Sequence, residues 1–151
     1  MADIIVKIIA GVISTLGFGI IFKLKYKQLP FAVITGLCAC IVYFVCVELF
    51  GGLFLPNIIS AFAAALLAEV FARVCKAPTT VFVYPGCIAL VPGGYLYYAM
   101  QNLLMENNKQ AMSYFLDTLV VGISIGGGII LASLCRYIIE LYKKRKSRKT
   151  V

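Results

Sequence analysis

Histidine is absent from the 151 residues of this chain. Its absence removes the side chain that most often exchanges protons near neutral pH, and also the commonest metal ligand. A Ser–His or Cys–His catalytic pair is therefore excluded. The sequence also contains no GxxxxGK[ST] loop, which excludes ATP hydrolysis by that route. We therefore expect no enzymatic activity, no metal site and no cofactor.

Charged residues are scarce as well. They make up 13% of the chain, whereas hydrophobic residues make up 62%. Soluble domains contain about 25% charged and about 45–50% apolar residues, so this chain lacks the polar residues that a soluble surface needs. The six cysteines form no CxxC pair, and most lie in apolar runs, where cysteine acts as a small hydrophobic residue. The composition indicates an integral membrane protein of one domain.

Five apolar segments account for most of the sequence. They cover residues 4–22, 29–50, 53–72, 79–105 and 115–142. A transmembrane helix needs about 20 apolar residues, so each segment is long enough to span a bilayer. The sequence thus predicts an all-α polytopic membrane protein with five transmembrane segments. We assign residues 1–142 to the membrane domain and residues 143–151 to a basic cytoplasmic tail.

The basic residues indicate how the chain is oriented. If the N-terminus is outside and the chain crosses five times, 12 of the 14 basic residues are cytoplasmic, and only Lys7 and Lys109 are outside. This asymmetry follows the positive-inside rule. It predicts a multi-pass protein of the plasma membrane with a cytoplasmic C-terminus. The basic tail would then lie close enough to the bilayer to bind anionic lipid.

The fourth apolar segment is unusual because it contains the steps Pro85-Gly86 and Pro92-Gly93-Gly94. Proline removes a backbone donor and glycine is a poor helix former, so two breaks are predicted in this segment. Broken backbone at membrane depth is tolerated only where it is buried in protein or lines a wet cavity. In transporters, such interrupted segments point to the substrate or ion site. Whether the segment spans or re-enters stays open.

The breaks predict a binding site for a small solute. A helix that restarts near Tyr95 would direct its free N–H groups and its positive dipole end toward the break, where a carboxylate can bind. An alternative is that the prolines make a packing kink and that the tyrosines belong to an interfacial belt. The candidate substrate-binding residues are Tyr84, Pro85, Gly86, Pro92, Gly93, Gly94, Tyr95 and Tyr98.

Placing a charged side chain inside an apolar membrane segment costs free energy, so each such residue needs a structural or functional explanation. Glu69 and Arg73 are four residues apart and are candidates for gating or ion coupling. The alternative is an ion pair within one helix at the inner interface, since Glu at i and Arg at i+4 face each other. Arg136 and Glu140 have the same spacing, and we expect them to pair with each other.

Small residues recur at four-residue spacing in two segments. Ser60, Ala64, Ala68 and Ala72 form one such ridge, and Gly122, Gly126, Ser124 and Gly128 form a second patch. In lipid, helices associate where small residues let their backbones approach closely. These surfaces predict ordinary helix packing, with sliding surfaces or subunit interfaces as the alternative.

The run AEVFARVCKAPTTVFVYPGCIALVPGGYLYYAM, at residues 68–100, resembles the C-terminal half of the threonine/serine exporter family. The resemblance is carried by Glu69, Arg73, Ala77-Pro78, Pro85-Gly86 and Leu90-Val91-Pro92-Gly93, whereas Ala89 stands where the family often has a further proline. In this family the half also occurs as a separate small membrane protein, which works with a second subunit that corresponds to the N-terminal half.

The resemblance implies the small subunit of a heteromeric secondary exporter. Its substrates would be small carboxylate-bearing metabolites, either threonine and serine or a dicarboxylate such as succinate. Two alternatives stay open from the residues alone: a non-transporting membrane scaffold, and a homo-oligomeric channel. The sequence does not determine the substrate, the coupling ion or the stoichiometry.

Overall fold

The computed structural model describes the backbone of residues 2–148 and the side chains of residues 4–142. Within that part the chain is helical and contains no β-strand. The helices are α1 (Ala2–Ile21), α2 (Leu29–Phe50), α3 (Phe54–Cys75), α4 (Thr80–Cys87), α5 (Gly93–Leu104) and α6 (Asn108–Arg148), with a short 3-10 turn (Ile88–Leu90) between α4 and α5. Helix α6 continues into the basic tail, whose side chains lie outside the described residues, so lipid binding by the tail stays a prediction.

Four helices, α1, α2, α3 and α6, are long and apolar enough to cross a membrane. The direction of the chain bends by 50° between α4, with its 3-10 turn, and α5. These two helices make a fifth span if the bent pair counts as one. The prediction of a helical protein built from long apolar segments is therefore confirmed.

The prediction of two breaks in the fourth segment is wrong, because the chain stays α-helical through Pro85 and Gly86 as far as Cys87. The helix is interrupted at Val91 and Pro92, and α5 begins at Gly93 rather than near Tyr95. Pro85 and Gly86 are buried against α2. We attribute the persistence of the helix to this packing, which offsets the hydrogen bond that proline cannot donate.

Gly86 is required for the close packing of α4 on α2. A Cβ atom at this position would lie 2.6 Å from Thr35 Cγ2 and 3.5 Å from the backbone nitrogen of Gly36. A larger residue would displace the Thr35 side chain or force the two helices apart. The Pro85-Gly86 step therefore positions α4 rather than opening its backbone.

The alanine ridge of α3 lies in the core, as predicted. Ser60, Ala64 and Ala68 are fully buried, and Ala72 is nearly so. Helix α3 packs on α6 along one side and on α2 and α4 along another. With few side-chain atoms between them, these backbones approach closely, which is how membrane helices gain packing energy.

The glycine patch of α6 is divided between two environments. A Cβ atom at Gly128 would lie 2.5 Å from the carbonyl oxygen of Ile58 and 2.9 Å from Ala61 Cβ, so this glycine belongs to the contact with α3. Gly122 and Gly126 face open space, with no atom within 4 Å of a Cβ atom built there. Gly128 therefore packs against α3, whereas no described residue packs against Gly122 or Gly126.

Candidate functional site

An open cavity of about 870 Å³ lies beside the bend between α4 and α5. Its walls come from five of the six helices and from the 3-10 turn. The lining residues are Lys7, Ala10, Gly11, Ser14, Cys40, Tyr43, Phe44, Val47, Asn57, residues 88–95, Tyr98, Tyr114 and Val121. The cavity is large enough for a small metabolite, since ligand pockets measure about 300–1,000 Å³.

Helices α1 and α2 each present one face to the cavity. The lining residues of α1, from Lys7 to Ser14, stand at positions i, i+3, i+4 and i+7, and those of α2, from Cys40 to Val47, have the same spacing. This spacing places them on a single side of each helix. The face of α1 is built from small residues apart from Lys7, and these leave room for a ligand.

The N-terminus of α5 opens onto the cavity. The N–H group of Gly93 donates to the carbonyl of Val91 at 2.8 Å, and that of Leu96 donates to Pro92 at 3.2 Å. The N–H groups of Gly94 and Tyr95 have no hydrogen-bond partner in the described part of the chain. Two free donors at the positive end of a helix can bind a carboxylate.

Tyr95, Tyr98 and Tyr114 form a cluster on the wall of the cavity that α5 and α6 provide. The ring centroid of Tyr114 lies 6.5 Å from that of Tyr95 and 5.7 Å from that of Tyr98. All three residues line the cavity. Their rings pack together across α5 and α6, and tyrosine hydroxyls usually find polar partners when they lie in apolar surroundings.

The structure brings five of the eight predicted binding residues to the cavity: Pro92, Gly93, Gly94, Tyr95 and Tyr98. The other three, Tyr84, Pro85 and Gly86, are not among its lining residues. The side chain of Tyr84 is exposed on the surface, while Pro85 and Gly86 are buried in the contact with α2. A role in binding stays a prediction for all eight.

Sequence reasoning missed Asn57, which lines the cavity and is only 2% exposed. Its amide nitrogen donates to the carbonyl of Leu53 at 2.6 Å, one turn earlier in α3. A polar amide inside an apolar segment was the available signal. Lys7 was noted only for its contribution to orientation, although it is the one charged residue among those that line the cavity.

The charged residues of α3 and α6 form ion pairs between the two helices. Arg136 Nε lies 3.6 Å from Glu69 Oε1, and Arg73 Nη2 lies 3.7 Å from Glu140 Oε1. The predicted pairs within one helix, Glu69 with Arg73 and Arg136 with Glu140, are therefore wrong. Helices α3 and α6 run in the same direction, because Glu69 pairs with Arg136, and Arg73, four residues later, pairs with Glu140, four residues after Arg136.

The two ion pairs differ in their exposure to solvent. The side chain of Glu69 is 10% exposed, and the Nε atom of Arg136 is buried and has no hydrogen-bond partner among the residues whose side chains the structure describes. The side chains of Arg73 and Glu140 are 58% and 59% exposed.

Glu69 follows Asn57 by twelve residues, or about 18 Å along α3 at about 1.5 Å per residue. The ion pairs and the cavity therefore occupy opposite ends of the bundle.

Comparison with known proteins gives one family match. The sequence model of a family described as Threonine/Serine exporter, ThrE, matches residues 7–135. This range includes every residue that lines the cavity, together with Glu69 and Arg73. No curated protein and no solved structure matches the chain significantly.

Proposed function

This chain belongs to the threonine/serine exporter family, and we propose that it is the small subunit of a secondary exporter of small carboxylate-bearing metabolites. The substrates would be threonine and serine or a dicarboxylate such as succinate. The observation that carries this proposal is the cavity at the bend, onto which the free N–H groups of Gly94 and Tyr95 open. A discontinuous helix with its N-terminus facing an anion is a recurring feature of transporter sites.

In this proposal the solute binds at the bend with a carboxylate against the first turn of α5. Tyr95 and Tyr98 supply hydroxyl groups, and the glycines at 93 and 94 let the ligand approach the backbone closely. The cavity is mostly apolar with a few convergent polar groups, which is the usual character of a small-molecule site.

We assign gating to the ion pairs at the other end of the bundle. Glu69 and Arg73 each pair with a residue of α6, so the two pairs join α3 to α6. Alternating access needs a closure on the side of the membrane away from the open cavity. Separation of these pairs would open that side, and protonation of Glu69 would favour separation because it removes one charge of the more buried pair.

The direction of the helices supports five crossings. Helix α6 runs parallel to α3, so the chain must return between them to the end at which α3 began, and the bent α4–α5 pair makes that return. With 12 of 14 basic residues then on one side, we place the N-terminus outside and the C-terminus in the cytoplasm, in the plasma membrane.

The proposed partner is a second membrane subunit that corresponds to the N-terminal half of the exporter. Two homologous five-span units joined in series insert with opposite orientations, which gives an inverted repeat with the transport site between them. An outside N-terminus is what the second unit of such a pair would have. The cavity is open in this chain alone, and a second subunit would complete its wall.

The test is export from cells that carry both subunits, this chain alone, the partner alone, or neither. Cells are loaded with threonine, serine or succinate, and the intracellular and external amounts are followed over time. We expect faster loss from the cells that carry both subunits. Equal intracellular accumulation with and without this chain would reject the proposal.

The open glycines Gly122 and Gly126 favour a second candidate, a non-transporting scaffold that binds a partner through α6. Substitution of Pro92 by alanine separates the two candidates, because it restores a backbone donor at the bend without touching α6. A scaffold would still assemble with its partner and the partner would still work. An exporter would assemble but would lose transport.

A further inference from the structure

The cavity contains two polar side chains that the proposed site has not used. Lys7 lies on the α1 wall and Asn57 on the α3 wall. Each lies near the start of its helix, and α1 and α3 begin at the same end of the bundle, because short loops join α1, α2 and α3 and α2 therefore returns antiparallel to both. Both residues therefore lie toward the end of the cavity that faces the N-terminal side of the membrane.

The cavity lining carries only positive charge. Lys7 is its one charged residue, and none of the acidic residues with described side chains lines it. Among the described residues, the ion pairs are Glu69 with Arg136 and Arg73 with Glu140, and both lie at the other end of the bundle. The Lys7 side chain is exposed, and a cation at the lining of an open cavity attracts an anionic ligand.

Asn57 can bind a ligand through its oxygen. One N–H of its amide nitrogen is used in the bond to Leu53, and no hydrogen bond reaches the side-chain oxygen from the described residues. The residue as a whole is 2% exposed and lines the cavity, so this oxygen is placed to meet a ligand inside the cavity. An acceptor of this kind selects a ligand that carries a hydroxyl or ammonium donor.

We infer that Lys7 binds the carboxylate of the transported solute together with the first turn of α5, and that the side-chain oxygen of Asn57 accepts a hydrogen bond from the solute's hydroxyl or ammonium group. Lys7 is thus a binding residue and Asn57 a specificity-determining residue, and the inference rests on the proposed function of the cavity. It favours a hydroxylated or amino monocarboxylate over a dicarboxylate, because a second carboxylate carries no hydrogen-bond donor for the oxygen of Asn57.

The experiment measures efflux of labelled L-threonine and of succinate from cells that carry the full chain and its proposed partner, with rates normalised to the amount of protein in the membrane. Lys7→Gln should lower efflux of both solutes about tenfold, and Lys7→Arg should retain most of it, since a charge-assisted hydrogen bond is lost only in the first. Asn57→Leu should lower the threonine-to-succinate ratio about fivefold or more. Asn57→Asp should raise that ratio, because it repels a dianion and strengthens the acceptor.

The chain provides a matched control for each substitution. Lys109 lies near the start of α6 outside the cavity lining, and Asn102 of α5 makes the same type of bond, to Tyr98 O at 2.8 Å, outside the lining as well. Lys109→Gln and Asn102→Leu should keep both rates within about twofold of the wild type. These controls measure the effect of losing a lysine or an asparagine from an apolar helix in general.

The outcomes separate this inference from the proposed function. If the wild type exports neither solute, the proposed function and the inference both fail. If the wild type exports and the Lys7→Gln and Asn57→Leu variants keep its rates and its ratio, only the inference fails. If Asn57→Leu does not reach the membrane, the Asn57→Asp variant tests the role of Asn57 instead. A threonine-to-succinate efflux ratio that falls or stays unchanged in Asn57→Asp would overturn that role.

Discussion

Single glycines have different roles in this protein although they fall in similar sequence patterns. Gly128 contacts the backbone of α3, whereas Gly122 faces open space on the same helix. The GxxxG spacing alone cannot distinguish them, because it identifies a smooth face and not the surface that the face contacts. The structure assigns Gly128 to the core of this chain and leaves Gly122 free to contact another chain.

We predict that Gly128→Ala destabilises the folded chain by about 1–3 kcal/mol, because the new methyl group overlaps the carbonyl of Ile58 and that backbone must move. The matched variant Gly122→Ala should change stability by less than about 0.5 kcal/mol. Thermal unfolding of the purified chain in detergent measures both effects. Equal loss of stability in the two variants would show that Gly128 is not in close contact with α3.

At the scale of the element, the ion pairs reveal what sequence spacing can and cannot predict. The spacing of Glu69 and Arg73 suggested a pair within α3, and the structure pairs each residue with α6 instead. Such a pair depends on the register of two helices, which no local pattern contains. The long apolar runs, by contrast, were sufficient to predict α1, α2, α3 and α6, because length and apolarity are local properties.

A double-mutant cycle tests the pairing between helices. Using Glu69→Gln and Arg136→Gln, we expect a coupling free energy of about 1 kcal/mol or more, because this pair is the more buried one. A cycle of Glu69→Gln with Arg73→Gln should give a smaller value. Both cycles are measured by thermal unfolding in detergent, and a larger coupling within α3 would contradict the assigned partners.

The bend between α4 and α5 was predicted in part. Two Pro-Gly steps in one apolar segment indicated a discontinuity, and the segment is interrupted at Pro92. The sequence did not distinguish Pro92 from Pro85, because the difference is the packing of Pro85 and Gly86 on α2. The cavity could be predicted only at its bend, since its other walls come from faces of α1, α2, α3 and α6.

At the scale of the whole molecule, the side of the membrane on which α6 begins depends on whether the bent pair crosses the membrane. If it crosses, the loop between α1 and α2 and the loop between α5 and α6 lie on opposite sides. We predict that a cysteine at Lys109 reacts from outside intact cells with a membrane-impermeant maleimide, and that a cysteine at Lys25 does not. A background variant without the six native cysteines serves as the control. Reaction of neither position or of both would indicate a re-entrant segment or a different span count.

The central claim of this account is that the cavity at the bend holds the transported solute. Gly94→Phe tests it most directly, because Gly94 lines the cavity and a Cβ atom there meets no neighbour within 4 Å, so the ring can fill the space without moving the backbone. Gly17→Phe is the control, since Gly17 also faces open space and lies outside the cavity lining. In cells that carry the proposed partner, we predict that Gly94→Phe abolishes efflux of threonine and succinate while Gly17→Phe retains it. Wild-type efflux from the Gly94→Phe variant would contradict the account.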